Sequence, residues 1–295
     1  MSLSPVRVMS VCALVVAVFA SVLAWGVSSA RAATPFFLVG GFAEVGPFGG
    51  TGDGYLHHGH RIAVDSSGQV LRADPIGKRV VVYSPSESGA SESTSFGSGE
   101  LVAPFGVAVD QSSGSVYVSD AGSEDVGGRV VRYLTDGGGS YWLDGDYTSP
   151  VAGSGAGEVG DFRAAIALDP TSGKLLVADP ADDLVQRYAT DGSYDGFSFD
   201  GPGSAGGVFT GLQDLAIDST GDVVVVDSDG GDPADGAAGR VERFDSDGVW
   251  EESIGPVENA ANVAVRPVTG EVLVSGNQDA VNDGQPPYPA LFVFD

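Results

Sequence analysis

A four-residue phrase, apolar, Ala, apolar, Asp, recurs along this chain and constrains its fold more than any other feature. It reads IAVD at 62–65, VAVD at 107–110, IALD at 166–169 and LAID at 215–218, and returns as VAVR at 263–266. A turn with Gly follows each copy, and then a second apolar run: QVLRAD, SVYVSD, KLLVAD, DVVVVD or EVLVSG, ending at Asp74, Asp120, Asp179, Asp227 and Gly276. A third run closes each copy on an aromatic, namely Tyr83, Tyr133, Tyr188, Phe244 and Phe294. Short apolar runs bounded by Gly, Asp, Ser and Pro clusters are strand signals. Spacings of 45, 59, 49 and 48 residues separate Asp65, Asp110, Asp169, Asp218 and Arg266.

A unit of three or four short antiparallel strands at this period cannot bury both of its faces alone. Stacking such units around an axis does bury them, so the repeat predicts an all-β fold, a β-propeller of about five four-stranded blades, with six as the alternative count. Ala63, Ala108, Ala167, Ala216 and Ala264 fall mid-strand where blades converge, and a bulky residue there would overpack the taper. Fourth strands are legible at Tyr141-Trp142-Leu143, at Phe197-Ser198-Phe199 and over 250–254. The final copy stops after its third strand, while Phe36-Phe37-Leu38-Val39 stands as an orphan strand near the N-terminus. The expectation is that this N-terminal strand completes the last blade, which would leave no open edge.

The segment PFGVAVDQSSGSVYVSDAGSEDVGGRVVRYLTDG at 104–137 resembles an NHL repeat: Gly-rich lead, Pro, Gly, strand, Asp, Gly turn, strand, Asp, then Arg, an apolar residue and an aromatic. The whole chain after about residue 36 follows this pattern. The resemblance implies a propeller of the kind found in secreted bacterial proteins. It implies little about activity, because the fold hosts enzymes, adhesion modules and protein-binding platforms alike. Five blades instead of six, and long acidic loops after Asp120, Asp227 and Gly276, depart from the family pattern.

The N-terminus reads as a targeting segment. Arg7 precedes an apolar run, and Ala30-Arg31-Ala32 supplies the small residues of a cleavage site, which makes 1–32 a signal peptide cut before Ala33 and 33–295 the propeller domain. The run also approaches the length of a membrane span, so an uncleaved anchor is the alternative. After cleavage no membrane association is expected, and the location is secreted or cell-surface. Cys12 is the only cysteine, so the remaining chain has no disulfide and rests on burial. Forty Asp and Glu against fourteen Lys and Arg give a net charge of −26, which repels phosphate backbones and excludes nucleic acid as a partner.

Few residues suggest chemistry. Gly155, Gly157 and Gly160 match the spacing of a dinucleotide loop, yet no helix follows them, so they belong to the Gly-rich lead of a repeat. Asp74, Asp120, Asp179 and Asp227 are read as caps of their own turns. In the loop DSDGGDPADG, Asp227, Asp229, Asp232 and Asp235 resemble a calcium loop without its closing Glu. They are the candidate metal ligands, and Ca²⁺ is the one candidate cofactor. His57, His58 and His60 crowd one Gly-rich loop and read as solvated. Arg132, Arg187 and Arg243, each one residue before the aromatic, are expected to pair with carboxylates of neighbouring blades.

No catalytic residue is assigned. The leading expectation is a non-enzymatic scaffold that recognises a protein or glycan through loops at one end of the ring. Two other readings stay open: a lyase- or lactonase-like enzyme working with carboxylate-bound calcium, and a piece of a larger cell-surface repeat protein.

Overall fold

The computed structural model describes residues 61–86, 89–123, 127–203, 207–228, 239–257, 259–266, 269–278 and 288–294. Its first blade comprises β1 (Ile62–Val64), β2 (Val70–Asp74), β3 (Arg79–Ser86) and β4 (Gly89–Phe96). The second comprises β5 (Pro104–Val109), β6 (Val116–Asp120), β7 (Arg129–Thr135) and β8 (Tyr141–Leu143). A short parallel pair, β9 (Val151–Ala152) and β10 (Glu158–Val159), lies in the connection that follows. The third blade holds β11 (Ala165–Leu168), β12 (Leu175–Asp179), β13 (Leu184–Tyr188) and β14 (Tyr194–Phe199). The fourth holds β15 (Leu212–Ile217), β16 (Val223–Asp227), β17 (Arg240–Phe244) and β18 (Trp250–Pro256). Of the fifth, β19 (Asn262–Val265), β20 (Val272–Gln278) and β21 (Tyr288–Phe294) are described.

Within every blade the strands pair antiparallel in chain order, and the first strands of successive blades run side by side around the axis. The described residues form a five-bladed β-propeller. The predicted strands fall where the repeat puts them. β4 is an addition, since its sequence GASESTSF has only one large apolar residue, at its end, and reads as a loop. The signal peptide and the N-terminal strand lie outside the described residues. Among the described residues no helix is long and apolar enough to cross a membrane.

Packing follows from strand alternation, which sends successive side chains to opposite faces. Along β16, Val223 and Val225 join a core with Ala165, Leu176 and Val185 of the third blade, whereas Val224 and Val226 join one with Val265, Val272 and Val274 of the fifth. Leu71, Val80 and Val82 meet Val107, Val116 and Val118 between the first two blades, and Ala108, Tyr117 and Val130 meet Ile166, Leu175 and Val177 between the next two. Each fully buried Val or Leu contributes roughly 1.5–3 kcal/mol relative to exposure. The second, third and fourth blades owe that contribution to a neighbour on each face.

The Ala tier is as small as the taper requires. Gly106 is tighter still: a Cβ there would meet the Ala164 carbonyl oxygen at 2.7 Å and Ser119 Oγ at 2.8 Å. In that space the Gly106 amide donates to Ser119 Oγ, whose hydroxyl donates to the Ala164 carbonyl of the next blade.

Candidate functional site

The two ends of the ring are built differently. At one end, called here the turn end, the first strand returns to the second, and in four of the five blades an aspartate holds that turn. Asp65 accepts the Ser67 and Gln69 amides, Asp110 the Ser112 amide, Asp169 the Thr171 amide, and Asp218 those of Thr220, Gly221 and Asp222. Asp carboxylates bonding the backbone two residues on are the local alternative to a backbone turn. Gly68, Gly114, Gly173 and Gly221 complete these turns with positive φ. The turns between third and fourth strands repeat the device with Asp136, Asp191 and Asp245. Hydrogen bonds from Gly138 and Ser140 hold Asp136 below the usual carboxylate range, and those from Ser193 do the same for Asp191. Seven of the chain's 40 Asp and Glu are thereby committed to turn geometry.

At the opposite end, the loop end, the aspartate closing each second strand stands across the ladder from the first residue of the third. The pairs are Asp74 with Arg79, Asp120 with Arg129, Asp179 with Leu184 and Asp227 with Arg240. The reading of these aspartates as caps of their own turns needs correction. Asp74 takes the Gly77 amide and Asp179 the Ala181 amide, as that reading requires. Asp120 instead accepts the amides of Val102 and Ala103, and Asp227 that of Thr210, each some seventeen residues earlier. The segment entering each blade passes over the end of its second strand, and the wholly buried carboxylate must satisfy that backbone.

Three of these carboxylates have an arginine: Arg79 at 3.5 Å from Asp74, Arg129 at 3.5 Å from Asp120, and Arg240 at 3.0 Å from Asp227. In the third blade Leu184 stands in the arginine's place, and Asp179 is held by the amides of Gly160 (2.6 Å), Asp161 (3.2 Å) and Ala181 (3.0 Å). Burial pushes its carboxyl up despite those bonds, and nearby Asp182 adds to the rise.

Of the candidate calcium ligands, Asp227 faces inward. Its Oδ2 accepts from Arg240 Nε and both its oxygens lie within reach of the Thr210 amide. Asp229, Asp232 and Asp235 lie outside the described residues, as do His57, His58 and His60. Among the described residues no group of three or more His, Cys, Asp or Glu is arranged to hold a metal ion. Gly157 is held by Gln186, a wholly buried side chain whose Oε1 accepts the Gly157 amide at 2.8 Å and whose amide donates to the Glu158 carbonyl. That anchor places β9 and β10 at the loop end, where the sequence suggested only a Gly-rich lead.

The arginines before the aromatics also differ from expectation. Their carboxylates belong to their own blades: Arg132 pairs with Asp144, Arg187 with Asp195, and Arg243 with Glu252 and Asp218. The reach to the next blade ends on a carbonyl, from Arg132 to Thr190 at 2.7 Å and from Arg187 to Ser246 at 3.2 Å. The fourth strand, adjacent in the same sheet, brings a carboxylate closer than the neighbouring blade can.

Sequence reading missed one charged contact altogether. Arg61, which leads into β1, pairs with Asp214 of β15 and donates to the Gln213 carbonyl, with its guanidinium 5.7 Å from the centroid of the Phe105 ring. Burial pushes the Asp214 carboxyl up while Arg61 opposes the rise. A signal was available: two residues before each tier alanine the copies read Arg61, Gly106, Ala165, Asp214 and Asn262, two charges in an otherwise small and neutral position.

Exposed apolar side chains occur at both ends of the ring: Val249 stands at the turn end, 60% exposed, and three stand at the loop end. Ile76 in the β2–β3 turn, Val151 of β9 and Val208 before β15 are 77%, 66% and 53% exposed. β6, β16 and β20 also end on this side, and the stretches of sequence that separate them from the next strands differ in length.

No model of a known protein family matches the chain, and no curated protein matches it. Solved structures do. Hydrazine synthase of Kuenenia stuttgartiensis superposes with a TM-score of 0.53 at 13% identity over 83% of this chain and 66% of that one. A protein of unknown function from Bacteroides caccae gives 0.52 at 14% identity over 80% and 77%. Another protein of unknown function, from Bacteroides thetaiotaomicron, gives 0.51 at 14% identity over 72% of this chain, which spans only 55% of its length. At such identities the likeness speaks for the fold alone, and with the blades described above the chain is a β-propeller.

Proposed function

We propose that this chain is an exported, NHL-type propeller that acts as a non-enzymatic scaffold and recognises a protein or glycan through its loop end. The observation that carries this reading is the asymmetry of the ring. The turn end repeats one tight aspartate-held turn from blade to blade. The loop end varies in length and sequence and exposes Ile76, Val151 and Val208. Insertions confined to one face of a repeat array, on loops held by a rigid scaffold, are where such proteins read their partners. Engagement of the loop-end aspartates by amides and arginines supports a structural role for them.

Arrays of glycans and of purified cell-envelope proteins, probed with the exported chain, test the reading. Binding should be lost in Val151→Glu or Ile76→Glu and kept in Val249→Glu, whose side chain is exposed at the turn end. Binding that survives both loop-end changes and fails with Val249→Glu overturns it.

A further inference from the structure

We propose that Arg61 and Asp214 form the latch that closes the ring, fastening the first blade to the fourth and fifth across the axis.

Apolar cores join blades one to two, two to three, three to four and four to five. Among the described residues, the remaining face of the first blade gathers Ile62, Val64, Val70 and Tyr83, all from that blade. Arg61 gives the first blade a polar link toward the far side of the ring. Its guanidinium spans 152 residues of sequence to the Gln213 carbonyl and pairs with Asp214 Oδ1. The other oxygen of that carboxylate accepts the Val263 amide of the fifth blade at 3.0 Å, and Oδ1 also takes the Leu215 amide at 2.8 Å. One side chain therefore holds three blades.

Gly106 and Ala165 occupy the same sequence position in blades two and three, and Phe105 offers its ring to the guanidinium. Both charged side chains are 10% exposed, so neither can find water when the other is removed. A buried pair gives little net stability over an apolar substitute, but losing one partner leaves an uncompensated charge, and such pairs are well suited to fixing one arrangement among several. Here the arrangement fixed is the number of blades.

Native-state hydrogen exchange on the whole chain tests the latch. Arg61→Met keeps the stem and removes the charge, while Asp214→Asn keeps an acceptor for the Val263 amide. Exchange in β1 and β19 should rise about a hundredfold in either variant, with β12 of the third blade unchanged. The double variant should open no further than the worse single one, because both remove the same contact. A uniform rise through all blades, or unchanged protection of β1 and β19, overturns the proposal. If Asp214→Asn does not fold, Arg61→Met alone decides between these outcomes.

Discussion

Replacing Leu184 by Arg should stabilise this protein, and the reason lies in a comparison the fold makes with itself. Leu184 opposes Asp179 in the register in which Arg240 opposes Asp227. At that position Arg240 donates to its aspartate at 3.0–3.1 Å while only 12% exposed. Asp179 is wholly buried with amides alone, and burial raises its carboxyl. A charge-assisted bond to such a group gives roughly 1.5–3 kcal/mol. Ordering the arginine side chain takes back about 1–2 kcal/mol. The net gain is about 1 kcal/mol, which in a domain of this size raises Tm by roughly 2–4 °C. The pH dependence has a definite sign. Because the folded Asp179 carboxyl lies above its unfolded value, the wild type loses stability as pH rises through that range. The variant regains it where Asp179 is ionised, so the gain should be full at neutral pH and fade on acidification. Calorimetry of both proteins at neutral and acid pH measures this. A gain that does not change with pH, or an equal or lower Tm at neutral pH, refutes the reasoning.

Other expectations follow from single contacts. Arg187→Met removes the bonds to Asp195 and to the Ser246 carbonyl and the stack on Phe197, and should cost about 2 kcal/mol in urea melts. Burial pushes the Asp195 carboxyl up, but Lys174 and Arg187 hold it lower overall, so this loss should be largest at neutral pH and shrink as pH falls through the carboxylate range. Gly106→Ala should cost about 1–3 kcal/mol by equilibrium denaturation, because its Cβ collides with the Ala164 carbonyl. Melts in excess Ca²⁺ and in EDTA should agree within about 1 °C, since Asp227 is committed to Arg240 and Thr210; a clear rise with Ca²⁺ would restore the calcium loop.

The repeat was legible because each copy must satisfy the same local constraints: alternation for two buried faces, a small residue at the taper, an aspartate at the turn. β4 was not, because serines and glutamate carry no apolar period and the strand forms only through its ladder with β3. The loop-end aspartates were found, but their amide partners belong to the segment entering the blade, which sequence proximity does not reveal. The arginine ties were seen as a set and assigned to the wrong carboxylates, since spacing does not tell a strand of the same sheet from a neighbouring blade. Arg61 and Asp214 meet only once a ring exists.

The arginine ties and the valine alternation share a direction. Arg132 and Arg187 reach forward to the following blade, and the second, third and fourth blades each offer one surface ahead and a different one behind. Such joints are head-to-tail, the front of one blade meeting the back of the next, and a contact of that kind can be repeated along a series. A head-to-tail series has no inherent length. The axial arginine and its aspartate have no counterpart in other blades, and a sixth unit would carry them out of reach of each other. They would then mark the point at which a modular series became a molecule of fixed size.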